Sequence, residues 1–353
     1  MNARRLLMPI LATAAAIGAS AVLAACGSDA PSATGTGGTA ADRPVIVATT
    51  PMLGALVRDA VGDAAEVEVV MPNGSDPHEW RPSARDVARL QSADLVVENG
   101  LNLEEGLQEA IARAREDGVA VFTAADHVDV REVEDGDGHA KEDEEHGHAG
   151  DGDDHAKEDE EHGHAGDGDD HAKEDEEHGH AGGDPHFWTD PLQAAAVAAA
   201  LPAAVRSATG ADISGPAGES AAALRGIDAD IDSRMSAIPE ADRVLVTGHE
   251  SLGYLAGRYG LDVVGTVTPS LSSQGQVSAA HLADLERAME KAGVRVLFTE
   301  SGVSDALAQA IRDETGATVV ELGIATVPSD GSYTTYIEDL SGRISSALTD
   351  AGG

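Results

Sequence analysis

A chain of 353 residues with 63 acidic against 23 basic side chains carries a formal charge of −40, which excludes nucleic acid as a partner. Its one cysteine, Cys26, excludes an internal disulfide and any cysteine-based zinc site. Aromatic residues make up 3%, so the cores are expected to be built from Ala, Val, Leu and Ile.

The chain opens with a short basic start (Arg4, Arg5), an apolar run and small residues before Cys26. That layout reads as a secretory signal over 1–25. "Leu23-Ala24-Ala25-Cys26" resembles a bacterial lipobox, which makes Cys26 the expected lipidation site. Residues 26–43 are small and polar and bury too little to order themselves, so they read as a flexible tether.

From there the pattern alternates. "PVIVATT" (44–50) predicts a buried strand, and "MLGALVRDAVG" a helix closed by Gly62. "VEVVMP" predicts a strand, "SARDVARLQSA" a helix capped by Ser83, and "DLVVENG" a third strand. "LEEGLQEAIARARED" predicts one helix ended by Gly118, followed by the strand "VAVFTA". The grammar resumes with the strands "RVLVTGHE", "LDVVGTV", "VRVLFTE" and "ATVVEL", each followed by a helix: "SLGYLAGRYG", "SAAHLADLERAMEKAG", "SDALAQAIRDETG" and "SYTTYIEDLSGRISSAL". Short apolar runs alternating with amphipathic helices indicate parallel β-α units, hence an α/β fold of two β-α lobes. The lobes are expected at 44–210 and 242–353, with a linking helix over 211–241 in which Leu224, Ile227, Ile231, Met235 and Ile238 recur at helical spacing. Ligands of open α/β sheets sit at the carboxyl ends of strands, so facing lobes imply a cleft between them.

Inside the first lobe, residues 132–184 hold 23 of the 63 acidic residues and 3 of the 23 basic ones, a net −20. The segment contains "HAKEDEEHGHAGDGDD" starting at His139 and again at His155, with a third copy from His171 that breaks off into "GGDPHFWTDP". Each full copy has three histidines, seven acidic residues and one lysine, and no branched aliphatic or aromatic side chain. Such a unit builds no core and is expected to be disordered. Its histidines (His139, His146, His148, His155, His162, His164, His171, His178, His180) beside carboxylates offer weak, labile metal sites, and the negative charge concentrates cations. A flexible chain of ~45 residues spans roughly 35–40 Å, far enough to reach a cleft. A solvated insertion left by duplication, with no specific role, is the bland alternative.

Five histidines lie outside the repeats: His78, His127, His186, His249 and His281. His78 follows the second strand in "SDPHEWRPS", His186 follows the repeats in "DPHFWTDP", and His249 ends a strand in "GHESLGYLAGRYGL". In the first two a proline fixes the backbone on one side and a bulky ring on the other restrains the imidazole. Imidazoles held in place beforehand are the usual way to bind zinc, at about 2.0–2.1 Å. His127, in a loop, and His281, within a helix, read as bystanders.

These three stretches, with a His/Asp/Glu-rich loop before the second, resemble the three histidine motifs of the metal-binding substrate-binding lipoproteins of ABC transporters. The similarity is to their zinc-uptake branch (cluster A-I type) and runs from about residue 43 to the C-terminus. It implies two α/β lobes joined by a long rigid helix, metal in the cleft, and His78, His186 and His249 as ligands. It also implies an ABC permease and its ATPase as partners, a monomer, and a place on the outer face of the cytoplasmic membrane through a lipid anchor. Members with a carboxylate for the third histidine are commonly manganese proteins, so His249 favours Zn2+ over Mn2+, as does the preference of imidazole for zinc. The family usually supplies a fourth, carboxylate ligand after the last strand of the second lobe, where this sequence has Ala325. Glu321, Asp330 or water are candidates to replace it. Glu79 reads as a solvated loop residue, and Glu300 either orients an imidazole or caps the next helix. Three histidines with an open position also describe catalytic zinc, but no HExxH or Ser-His arrangement accompanies them, so an enzyme is not expected. A manganese-specific binding protein and an extracellular metal store or adhesin are the remaining alternatives.

Overall fold

The computed structural model describes residues 43–132, 183–300 and 316–352, together with 309, 312 and 313. Among them lie two four-stranded sheets, parallel throughout. The first contains β1 (Val45–Ala48), β2 (Glu66–Val69), β3 (Leu95–Glu98) and β4 (Ala120–Thr123) in the order β2-β1-β3-β4. The second repeats that order with β5 (Val244–Thr247), β6 (Asp262–Thr266), β7 (Val296–Glu300) and β8 (Thr318–Leu322) as β6-β5-β7-β8. The two parallel α/β domains are therefore as the strand-helix alternation predicts. In each sheet the order reverses beside the first strand, and this switch point opens a crevice at the carboxyl ends.

Alternation along the strands covers both faces of each sheet. Ile46 and Ala48 of β1 face one core, while Val47 joins Leu90 and Ile111 on the other side. In the second sheet Leu245 and Val246 of β5 divide in the same way, Val246 packing with Leu285 and Met289. Local signals set the helix ends. Thr50 accepts from Leu53 N at the start of α1 (Pro51–Val61), with Pro51 in the first turn. Ser83 and Asp86 form a reciprocal capping box on α2 (Ala84–Gln91).

One expected helix is shorter in the structure. "LEEGLQEAIARARED" gives a 3-10 turn at Glu105–Leu107 and then α3 (Gln108–Glu116). The cause lies just before it, where Gly100, Leu101 and Asn102 all take positive φ. Glu104 then turns back so that one carboxylate oxygen accepts from Asn99 N (2.7 Å) and Thr49 Oγ1 (2.6 Å).

Helix α4 (Pro191–Thr209) is capped by Asp190, and α5 (Ser214–Ser236) runs about 35 Å toward the second sheet. Ala217, Ala221, Leu224, Ile231 and Met235 form its buried stripe. The largest core continues without a break from Ile46 of the first sheet to Phe298 of the second, through α1, α4, α5, α6 (Gly253–Tyr259) and the C-terminal helix Tyr333–Gly352. The aliphatic-core expectation holds for the sheets apart from Phe122 and Phe298, but not for this shared layer. Phe187, Trp188, Tyr254, Tyr259, Tyr333 and Tyr336 are all buried there. A ring with a polar tip suits such a seam, since it fills space and also satisfies a carbonyl: Tyr333 donates to Trp188 O (2.6 Å), and Tyr336 and Trp188 both donate to Ile324 O (2.8 and 3.2 Å). Helix α7 (Ala279–Ala292) is capped by Ser278, whereas the expected helix at 304–316 falls mostly outside the described residues. No helix of the described residues is long and apolar enough to cross a membrane.

Candidate metal centre

Two copies of one tripeptide, Asp-Pro-His, build two thirds of the site. In each, the Asp side chain accepts the backbone N–H two residues on: Asp76 Oδ1 from His78 N and Asp184 Oδ1 from His186 N, both at 2.9 Å. These Asx turns, stiffened by Pro77 and Pro185, fix the direction in which each imidazole leaves the chain. The His78 carbonyl also accepts from Gln274 Nε2 of the second domain (2.5 Å), and Asp76 Oδ2 accepts from Ser273 Oγ (2.5 Å). His186 is held further by Asn99, whose Nδ2 donates to Pro185 O at 3.0 Å, and its ring lies 5.2 Å from that of Trp188. The third ring, His249, leaves the end of β5, with its carbonyl accepting from Thr247 Oγ1 at 2.7 Å.

The three imidazoles converge. His78 Nε2 and His249 Nε2 lie 3.3 and 3.2 Å from His186 Nε2, and one ligand atom from each residue lies within 4.8 Å of the others. All three residues are at most 5% exposed. Tetrahedral coordination at 2.0–2.1 Å separates ligand nitrogens by about 3.3–3.4 Å, so the observed spacing suits one small cation.

Carboxylates stand behind two of the rings. Asp184 Oδ1 is 2.8 Å from His186 Nδ1, and Glu300 Oε2 is 2.7 Å from His249 Nδ1. Each pair places the ring proton on Nδ1 and leaves the Nε2 lone pair aimed at the centre. Ser251 Oγ donates to the other Glu300 oxygen at 2.6 Å. Burial alone would raise both carboxyl pKa values. For Asp184 the hydrogen bond and charge of His186 outweigh it, and for Glu300 the charge and hydrogen bond of His249 do so, leaving both below their ordinary values. Burial lowers the pKa of His249, but the Glu300 carboxylate outweighs it and leaves that pKa raised.

Between the rings is a cavity of only ≈ 30 Å³, lined among others by Asp76, Glu300, Trp188 and Ala325. That volume suits an ion or a water, whereas pockets for organic ligands run to hundreds of Å³.

The site residues named from sequence divide as follows. His78, His186 and His249 come together, and Glu300 takes the orienting position on His249. Ala325 lines the cavity. Glu321 and Asp330 do not reach it, which corrects their candidacy as fourth ligands. Glu321 is exposed on β8, and Asp330 is exposed in a turn, where it accepts from Ser332 N and Thr335 Oγ1. Glu79 is exposed, as a solvated loop residue should be. His127 stacks on Phe122 at 4.6 Å, and His281 Nε2 is 2.8 Å from Thr266 O, so both remain outside the cluster. Cys26 and the nine repeat histidines lie outside the described residues. Sequence reasoning missed Asp76 and Asp184 as holders of the ligands, although the repeated Asp-Pro-His carried the signal.

Residues 46–347 match the family described as ZnuA, zinc-uptake complex component A, periplasmic. The chain is 29% identical over 300 residues to the high-affinity zinc uptake system protein ZnuA of Bacillus subtilis, covering 84% of this chain and 82% of that protein. It is 25% identical over 276 residues to the iron-binding protein YfeA of Yersinia pestis, covering 77% and 74% respectively. Its fold is similar to that of the periplasmic zinc-binding protein TroA from Treponema pallidum, with a TM-score of 0.66 and 22% identity over 87% of this chain and 99% of that one.

Proposed function

We propose, from the premise that the chain belongs to the ZnuA family of periplasmic zinc-uptake components, that it captures Zn2+ outside the cytoplasmic membrane and hands it to an ABC permease. As a metal-binding substrate-binding protein of ABC transport it is not an enzyme. What the finer reading adds is the metal, the ligands and the anchor. The observation that carries it is the convergence of three imidazoles, with the Nε2 atoms of His78 and His249 3.3 and 3.2 Å from that of His186, on a cavity the size of an ion or a water.

Three neutral imidazoles with no carboxylate in the fourth position favour zinc over manganese, which prefers more oxygen ligands. Ala325 lining the cavity supports that choice, and a water completes the tetrahedron. Relatives named for zinc and for iron both match the chain, and the donor set is what favours zinc here. Cys26 carries the lipid that holds the protein at the outer face of the membrane, and the protein works as a monomer. The repeat histidines collect zinc loosely and pass it to the tight site; the segment rejoins the described chain at Gly183, three residues before His186.

Competitive titration of purified protein with zinc, manganese, iron and copper, intact and lacking 134–182, tests this. The expected result is one tight zinc site in both forms and extra weak sites in the intact form alone. Loss of the tight site on deletion, or tighter binding of manganese or iron than of zinc, overturns it.

A further inference from the structure

The hydroxyl of Tyr254, five residues beyond His249 and in the second turn-forming position of α6, reaches across the seam to both ends of chain that flank the repeat segment. It accepts from Arg131 N at 2.8 Å and donates to Asp184 O at 3.1 Å. Those two ends are themselves joined, since Asp184 N donates to Arg131 O at 2.9 Å and Arg131 Nη1 lies 3.3 Å from Asp184 Oδ2. The remaining Asp184 oxygen, Oδ1, holds both the backbone N–H and the ring Nδ1 of His186. Asp184 is wholly buried and Tyr254 nearly so, which makes each of these bonds costly to leave unmade.

A second feature of α6 serves the same junction. Gly253 lies against the Arg131–Asp184 pair: a methyl group there would sit 2.9 Å from Asp184 Oδ2 and closer still to the Arg131 guanidinium. Gly253 is not in the left-handed region, so its lack of a side chain answers to this contact and not to backbone conformation.

We propose that Tyr254 is a positioning residue for metal retention. Tied to the domain that carries His249, it holds Asp184 and Arg131 of the other domain, and through Asp184 it sets His186 against His249. This rests on the reading of the three histidines as the metal site.

The test is Tyr254→Phe in the full chain, which removes one oxygen and keeps the ring. Zinc dissociation into excess chelator is expected to quicken about 10-fold, in the range seen when an outer partner of a metal ligand is lost. The visible absorption of the Co2+-substituted protein should change with it, because His186 is no longer held in register. Gly253→Ala provides a second perturbation, crowding both the Arg131 guanidinium and Asp184 Oδ2, and should speed release in the same direction. In the double variant the two effects should fall short of additive, since both act on Asp184. Unchanged release and an unchanged Co2+ spectrum in Tyr254→Phe overturn the proposal. A purely structural role would lower the urea midpoint of the metal-free protein without altering the Co2+ spectrum, which also overturns it. His186→Ala separates the premises: if it leaves zinc binding intact, the metal-site reading fails instead.

Discussion

His249 Nδ1 and Glu300 Oε2 lie 2.7 Å apart at the carboxyl ends of two adjacent strands, β5 and β7. The switch point of the second sheet therefore supplies one of the three converging imidazoles and the carboxylate that orients it together.

Glu300→Gln should lower zinc affinity about 10–100-fold, as expected when the carboxylate behind a ligating imidazole is lost. It should also move the pH dependence. Burial lowers the pKa of His249 and the Glu300 carboxylate raises it to a net upward shift from 6.5, so in the native protein protons compete for Nε2 already as pH falls through that raised value. With an amide in place, burial dominates and competition begins at lower pH. Calorimetric titration between pH 5 and 8 checks both effects; an unshifted profile counts against the pairing.

His249→Ala removes the only one of the three rings that comes from the second domain. Zinc affinity should fall by roughly 100-fold or more, beyond the loss expected for an outer partner. Unchanged affinity by calorimetry would remove the inter-domain site.

Ala325→Asp returns a carboxylate to the cavity wall facing the imidazoles. An oxygen added to the three imidazoles makes the donor set more acceptable to manganese, so the ratio of manganese to zinc affinity should rise about 10-fold. Competition between the two ions, followed by metal analysis of the bound fraction, measures it.

Glu104 gives a stability prediction away from the metal. Burial pushes its carboxyl up to about 7, against the bonds from Thr49 and Asn99 that lower it. The folded state thus keeps a proton that the unfolded state releases near 4.5, and stability contributed by this group is full below that value and lost as pH rises toward 7. The loss amounts to about 3 kcal/mol. Glu104→Gln, a neutral isostere, should flatten this part of the urea-stability profile of the metal-free protein between pH 4.5 and 7.5. A profile unchanged by the substitution would show that the Glu104 carboxyl titrates alike in the folded and unfolded states.

Much of the protein is legible in one dimension. Parallel strands announce themselves as short apolar runs because both faces are buried, as Ile46 and Val47 show by facing separate cores. Caps such as Ser83 and Asp190 are local hydrogen bonds and need no distant partner. The three histidines were recognisable because each sits in a motif that fixes its own backbone. Glu321 and Asp330 misled because closeness in sequence to the expected ligand position does not tell which way a loop faces.

By itself, then, the order of residues determined the two α/β domains, the strand ends, and the Asx turns that aim His78 and His186, since all depend on periodicity or on contacts a few residues apart. Only the tertiary structure decided that rings separated by 108 and 63 residues meet at 3.2–3.3 Å, that the cavity between them is only ≈ 30 Å³, and that Tyr254 bonds to both Arg131 and Asp184. Those are matters of how two cores pack through a shared helical layer. Packing is a property of surfaces brought together in space, and no single stretch of chain contains it.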